Sequence, residues 1–166
     1  MPTEPPAPPA ARTPRESESV LGESMMPDQL NNNGTVFGGA ILALVDKVGG
    51  VVARRHARKP VVTVSIDRVE FREPVFAGEY VVAAGRMASA GRTSMDIVVT
   101  VEAEDLMTGV KRRTNRCWLT FVALGTDGRP SPVPALTLET DEDRRLHDIA
   151  ARRRARMLDD EREEWS

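Results

Sequence analysis

Apolar residues recur at helical spacing in the second quarter of the chain. Ile41, Leu44, Val45, Val48 and Val52 fall on one stripe, which predicts a helix over 40–55. A polar loop at 27–34, dense in Asn, precedes it, and the Gly38-Gly39 pair lets the backbone turn tightly into the helix. A short strand is expected at 20–26. Downstream the period changes to two. Val62, Val64 and Ile66 alternate with Thr63, Ser65 and Asp67, so 61–71 reads as a strand. Val69 and Phe71 fall on the opposite parity, which predicts a bulge or bend near Asp67 and Arg68. Further strands follow at 79–90, 93–105 and 110–124, separated by turns at Gly91-Arg92 and 106–109. The stretch 139–164 is charged, with a thin apolar stripe of Leu146, Ile149, Ala150, Met157 and Leu158, and reads as a peripheral helix. Its arginines are balanced by acids, as i,i+4 pairing requires; the alternative is contact with a nucleotide or a neighbouring subunit.

This order describes an α+β domain: a curved antiparallel sheet wrapped around one long central helix, with a second helix outside. Asp46 breaks the helical pattern. At 100° per residue it lies well off the stripe, on a flank shared with Leu42, Gly49, Gly50 and Ala53. Small residues there predict a close-packed second surface, such as another subunit. Asp46 is then either a buried structural acceptor or a catalytic carboxylate. Dimerisation would cover both that flank and the open sheet edges.

Composition narrows the class. Residues 1–19, rich in Pro, Ala, Ser and Glu, are expected to be a disordered tail, with the domain at 20–136 and the charged helix at 137–166. A net charge of -2 and 4% aromatic residues give no basis for nucleic-acid binding. The single cysteine, Cys117, excludes an internal disulfide framework and reads as an inert thiol in a strand. No apolar run reaches membrane-spanning length and no signal-peptide pattern opens the chain, so a cytoplasmic protein is expected. The basic residues Arg58 and Lys59 complement a helix C-terminus, or contact phosphate. No Walker loop and no G-x-S-x-G elbow is present.

Several separated motifs, taken together, resemble one family. They are Met26-Pro-Asp28 followed by Asn31 to Gly34, Gly38-Gly39, Asp46 with its small neighbours, Val61-Val-Thr-Val-Ser65, Gly85-Arg-Met87, Thr93-Ser94-Met95 and the Val133-Pro-Ala-Leu136 exit. Over roughly 20–160 the chain resembles the hotdog-fold acyl-CoA thioester hydrolases. The resemblance implies hydrolysis of acyl-CoA to free acid and CoA, with no metal or redox cofactor. It further implies homodimers that assemble into a homohexamer, a trimer of dimers, with active sites at the dimer interface. By position it assigns catalysis to Asn31 and Asp46, one from each protomer. Gly38 and Gly39 would offer amides to the oxyanion, while Arg92, Thr93 and Ser94 would contact CoA. The acyl chain is expected between helix and sheet, against Val48 and Val64. Two other readings are a non-catalytic acyl-CoA sensor and a hydroxyacyl-thioester dehydratase. The latter wants a His paired with a carboxylate, and only His56 and His147 exist.

Overall fold

The computed structural model describes residues 9–67 and 69–164, with side chains as far as Leu158. Five strands, β1 (Ser19–Ser24), β2 (Val61–Asp67), β3 (Tyr80–Ala90), β4 (Ser94–Glu104) and β5 (Lys111–Ala123), make one antiparallel sheet in the order β1-β3-β4-β5-β2. Helix α1 (Gly38–Ala57) packs on its inner face and α2 (Asp141–Glu164) on its outer face. The α+β hotdog architecture expected from the sequence is the one observed.

The stripe on α1 is the centre of the core. Val45, Val48 and Val52 are fully buried, against Met87, Ile97, Val99 and Leu119 of the sheet. Alternate residues of the same strands, Ala88, Val98 and Trp118, point the other way and meet Leu146 and Ala150 of α2. The helix ends at Arg58 in the left-handed region (φ 55°). There Arg12 donates from Nη1 to the carbonyls of Arg55 and His56, both at 2.8 Å, satisfying acceptors that the helix leaves open.

That contact corrects the expected tail. Residues 1–8 lie outside the described residues, but from Arg12 onward the backbone is tied down. The Arg12 amide donates to the Ala135 carbonyl at 2.9 Å, and the Thr137 amide donates to the Arg12 carbonyl at 2.8 Å. A 3-10 turn at Pro14–Glu16 then leads into β1. The partners are more than 40 positions away, so local composition carries no trace of them.

Strand β2 also departs from the expected pattern. Its bulge falls between Thr63 and Ser65, at Val64, rather than near Asp67; Arg68 is not among the described residues. The extra residue reverses the phase. Thr63 and Ile66 oppose inward Phe121 and Leu119, whereas Val62, Ser65 and Asp67 oppose outward Val122, Thr120 and Trp118. Val62 and Val64 are therefore exposed (43% and 61%), and Val64 lies on the opposite side of the sheet from Val48. An acyl chain cannot rest on both. The glycine flank of α1 needs correction too. A Cβ on Gly49 would sit 3.0 Å from the Phe121 ring, and Ala53 is fully buried, so these small residues admit the chain's own sheet.

Helix α2 is anchored at its start by a reciprocal cap. Thr140 Oγ1 accepts from the Asp143 amide at 3.1 Å, while Asp143 Oδ2 accepts from the amides of Thr140 (2.9 Å) and Glu139 (3.0 Å). Asp143 Oδ1 also accepts from Arg86 at 2.5 Å, which joins the helix to β3. Burial pushes the Asp143 carboxyl up. The hydrogen bonds from Thr140, Arg86 and Glu139 outweigh it and bring the group to about 2, below its ordinary 3.8. A depressed carboxyl stabilises the fold above its ordinary value and loses that contribution as pH falls through the folded one. Asp143→Asn should therefore cost about 1–2 kcal/mol at pH 7. Urea unfolding of both proteins should show this gap closing as pH drops from about 4 towards 2.

Candidate active site

Asp46 sits in the third turn of α1, half-buried, where the helix passes edge strand β2. Its Oδ1 accepts a 2.7 Å hydrogen bond from Thr63 Oγ1. Its Oδ2 accepts none among the described residues. The carboxylate is thus oriented by one oxygen and open at the other. Thr63 was not singled out from the sequence. Its signal was the bulge, which turns this hydroxyl towards the helix, and the alternating pattern hid that.

Asn31 lies in the loop after a 3-10 turn at Pro27–Gln29. The loop is held by its own hydrogen bonds. Asn31 Oδ1 accepts from the amides of Asn33 (2.8 Å) and Thr35 (3.3 Å), and Nδ2 donates to Thr35 Oγ1 at 3.0 Å. One Nδ2 hydrogen remains for a ligand. Neighbouring Asn32 and Asn33 are exposed, and their side chains make no hydrogen bond among the described residues, so Asn31 is the asparagine with a fixed side chain. No hydrogen bond joins Asn31 to Asp46 within the chain.

Gly38 and Gly39 open α1, and no side chain caps this end. The Ala40 amide is used locally, donating to the Phe37 carbonyl at 2.9 Å, but the amides of the two glycines have no partner among the described residues. Two exposed rings frame them. A Cβ on Gly39 would come within 2.2 Å of Phe37, and one on Gly38 within 2.9 Å of Phe71. Glycine is needed here because the rings occupy the side-chain space, leaving two donors at the positive end of the helix dipole.

The proposed CoA residues form the connection between β3 and β4. Arg92 is exposed, and its carbonyl accepts from the Val133 amide at 2.9 Å. The Thr93 carbonyl accepts from the Ala123 amide at 3.0 Å. Ser94 Oγ accepts from Arg154 of α2 at 3.1 Å, and the same guanidinium donates to buried Asp96 at 2.9 Å. Ser94 opposes Val122, which opposes Val62. The turn therefore lies on the row beside Thr63, two strand spacings or about 10 Å across the sheet.

The remaining reactive groups are elsewhere. His56 is fully buried at the far end of α1, with Nε2 2.9 Å from the Pro134 carbonyl oxygen; burial lowers its pKa against that bond. His147 is on α2, so neither histidine pairs with Asp46. The Cys117 thiol is buried, which pushes it up to about 11 and leaves it protonated at neutral pH. No helix among the described residues is long and apolar enough to cross a membrane.

Comparison with known proteins gives a consistent result. A model of the thioesterase superfamily matches residues 33–110. An uncharacterized acyl-CoA thioester hydrolase of Bacillus subtilis is 37% identical over 145 residues, covering 87% of this chain and 84% of that protein. The cytosolic acyl coenzyme A thioester hydrolase of Mus musculus is 32% identical over 82% of this chain, which spans only 36% of that longer protein. Among solved structures, an acyl-CoA hydrolase from Bacillus cereus has a TM-score of 0.87 at 36% identity, covering 93% of this chain and 94% of its own. An apo-hexameric acyl-CoA thioesterase has a TM-score of 0.85 at 34% identity, with 89% and 94% covered. The acyl-CoA hydrolase of Staphylococcus aureus, solved with butyryl-CoA, CoA and CoA disulfide, has a TM-score of 0.82 at 30% identity, with 92% and 95% covered. That enzyme has also been solved with an Asp, an Asn or a Thr replaced by alanine. The chain belongs to the hotdog-fold acyl-CoA thioester hydrolases of the thioesterase superfamily.

Proposed function

We propose that the protein hydrolyses acyl-CoA to free acid and CoA at a site built around Asp46. The observation that carries this reading is the Asp46–Thr63 hydrogen bond, which aims one carboxylate oxygen and leaves the other free at the sheet edge. A thioester carbonyl is already activated and thiolate is a tolerable leaving group, so one oriented carboxylate suffices to start the reaction. As general base, Asp46 takes a proton from water as the water oxygen bonds to the carbonyl carbon. The oxyanion then collapses, the C–S bond breaks, and the CoA thiolate leaves with the proton that Asp46 returns. As nucleophile, it attacks that carbon directly, expels the thiolate and forms an anhydride that water then opens. In either course the developing oxyanion is met by the amides of Gly38 and Gly39. Asn31 supplies its remaining Nδ2 hydrogen to the carbonyl or the water.

Residue spacing supports the same three side chains. In the S. aureus hydrolase the replaced Asp follows the replaced Asn by 15 positions, and the replaced Thr follows the Asp by 17. Asn31, Asp46 and Thr63 repeat those intervals.

The chain supplies Asn31 and Asp46 without joining them, which suits a site shared between protomers. Strand β2 is an edge strand with Val62, Thr63 and Val64 exposed, and pairing it with its copy would cover them. We take the homodimer as the active unit and, from the hexameric neighbour, a homohexamer as its assembly. CoA extends from this seam towards Arg92, Thr93 and Ser94. A pure sensor has no need of an oriented, half-open carboxylate, and a dehydratase lacks its histidine.

Thiol release from acyl-CoAs of increasing chain length tests the reading. Turnover is expected on at least one of them, with kcat reduced by about 10² or more in Asp46→Ala and in Asn31→Ala. Absence of turnover on every chain length, despite tight binding, would sink the reading. Thr63→Val should lower kcat by about tenfold and leave the melting temperature within a degree or two, since it removes orientation at an exposed position. The shared site has its own check. Refolding Asn31→Ala and Asp46→Ala together should restore about a quarter of wild-type activity, because half the random dimers contain one intact site of two. Mixtures no more active than the single variants would place both residues in one protomer.

A further inference from the structure

The loop that carries Asn31 hangs from the rest of the chain by few bonds. Among the described residues, one backbone hydrogen bond ties 27–37 to a segment distant in sequence: the Val36 amide donates to the Val75 carbonyl at 2.7 Å. A side-chain bond from Gln29 Nε2 to Glu23, at 3.1 Å, is the loop's other tie to a neighbouring element. Val36 follows Thr35, whose hydroxyl accepts from Asn31 Nδ2, and it forms an antiparallel bridge with Leu30 on the other side of Asn31. The placement of Asn31 therefore follows the placement of the Val75 carbonyl.

An ion pair outside the site fixes that carbonyl. Arg112, the second residue of β5, donates from Nη1 to Glu79 Oε1 at 2.6 Å and from Nη2 to Glu79 Oε2 at 2.8 Å. The same Nη2 donates to the Pro74 carbonyl at 2.6 Å, and the guanidinium lies 5.8 Å from the centre of the Phe76 ring. Glu79 Oε2 also accepts from the Phe76 amide at 2.8 Å. The residues on both sides of Val75 are thus gripped by one guanidinium–carboxylate pair. Glu79 is buried, and the bonds from Arg112 hold its carboxyl below the ordinary carboxylate range against that burial. A buried pair adds little net stability, because desolvation offsets most of the attraction. It supplies geometry instead: a planar fork meets three acceptors at fixed angles, which a lysine cannot do.

We propose that Arg112, acting through Glu79 and the Pro74 carbonyl, is a positioning residue for Asn31. Its effect on turnover rests on the hydrolase reading; its mechanical hold on the loop does not. Strand β5 then serves both halves of the site. Its start holds the Asn31 loop, and Phe121 near its end pairs with Thr63, which orients Asp46.

The test is hydrogen exchange, read by mass spectrometry on the full-length oligomer, together with steady-state kinetics. In the Glu79→Gln/Arg112→Met double variant, which leaves no unpaired buried charge, amides of 28–37 should exchange at least about tenfold faster. Those of α1 and β4 should be unchanged. Arg112→Lys, which keeps the charge and loses the fork, should show the same pattern at smaller amplitude. The double variant should lower kcat by about tenfold and leave KM within about twofold. Added to Asn31→Ala, it should lower kcat no more than about twofold further, since both changes act through one side chain. Unchanged exchange in 28–37 overturns the proposal. So does equal loosening of α1 and β4, which would make the pair a prop for the whole fold. Losses that multiply with that of Asn31→Ala, or a loosened loop with kcat intact, overturn it as well. Exchange is read without turnover, so a loop that loosens as expected in a protein unable to hydrolyse acyl-CoA would overturn the hydrolase reading alone.

Discussion

The rotation of α1 about its own axis is the constraint on which the site depends. Ile41, Leu44, Val45, Val48 and Val52 are all within 3% of complete burial, so the helix has one way to sit on the sheet. Turning it by a single residue, 100°, would bring charged Lys47 or Arg54 towards Met87 and Ile97. With the stripe seated, Asp46 has one exit, past the edge of the sheet at β2. The strand meets it with Thr63, and only because the Val64 bulge has changed the phase. Without the bulge, keeping Ile66 inward on Leu119 would carry Val64 and Val62 inward as well and turn Thr63 away from Asp46. One extra residue therefore keeps Ile66 in the core and aims the carboxylate together.

This explains which parts could be read in advance. The α1 stripe, the Gly38-Gly39 entry and the turns that separate the later strands are local patterns, so the architecture follows from them. Asp46 was visible as an oddity that the local pattern did not need, whereas Asn31, one of three adjacent asparagines, was singled out only by the family resemblance. Thr63 was not, because its role depends on a register shift that appears only once β2 is paired with β5. Gly49 misled for a related reason. A small residue announces a close neighbour but not whose it is, and Phe121 of the same chain fills the space. The ordered segment around Arg12 was hidden because its partners, Ala135, Thr137 and the end of α1, are remote in sequence.

The two faces of the sheet divide the chemistry between them. Inside, burial is almost wholly apolar. The polar atoms that matter gather at the rim, where α1 begins and where β2 ends the sheet. Outside, the sheet carries Arg86 and Asp96 beneath α2, each of which must find a partner because water is partly excluded. Arg86 finds Asp143 and Glu18, and Asp96 finds Ser89, Thr120 and Arg154. Single exposed ion pairs contribute little, but these pairs are linked and partly buried, and they fix where α2 lies.

Helix α2 consequently acts on the site without touching it. Its adjacent arginines diverge: Arg153 reaches Asp67 at the end of β2, and Arg154 reaches Ser94 and Asp96 at the start of β4. Strand β5 lies between those two attachment points. The helix therefore bridges the strand that carries Thr63 and the turn that carries Arg92, across the outer face of the strand separating them. Gly91 completes the fit, since a Cβ there would lie 3.1 Å from the Arg154 guanidinium. A long charged helix of thin apolar content, which by its own pattern would be a peripheral decoration, is held by the two segments between which the proposed CoA path would run.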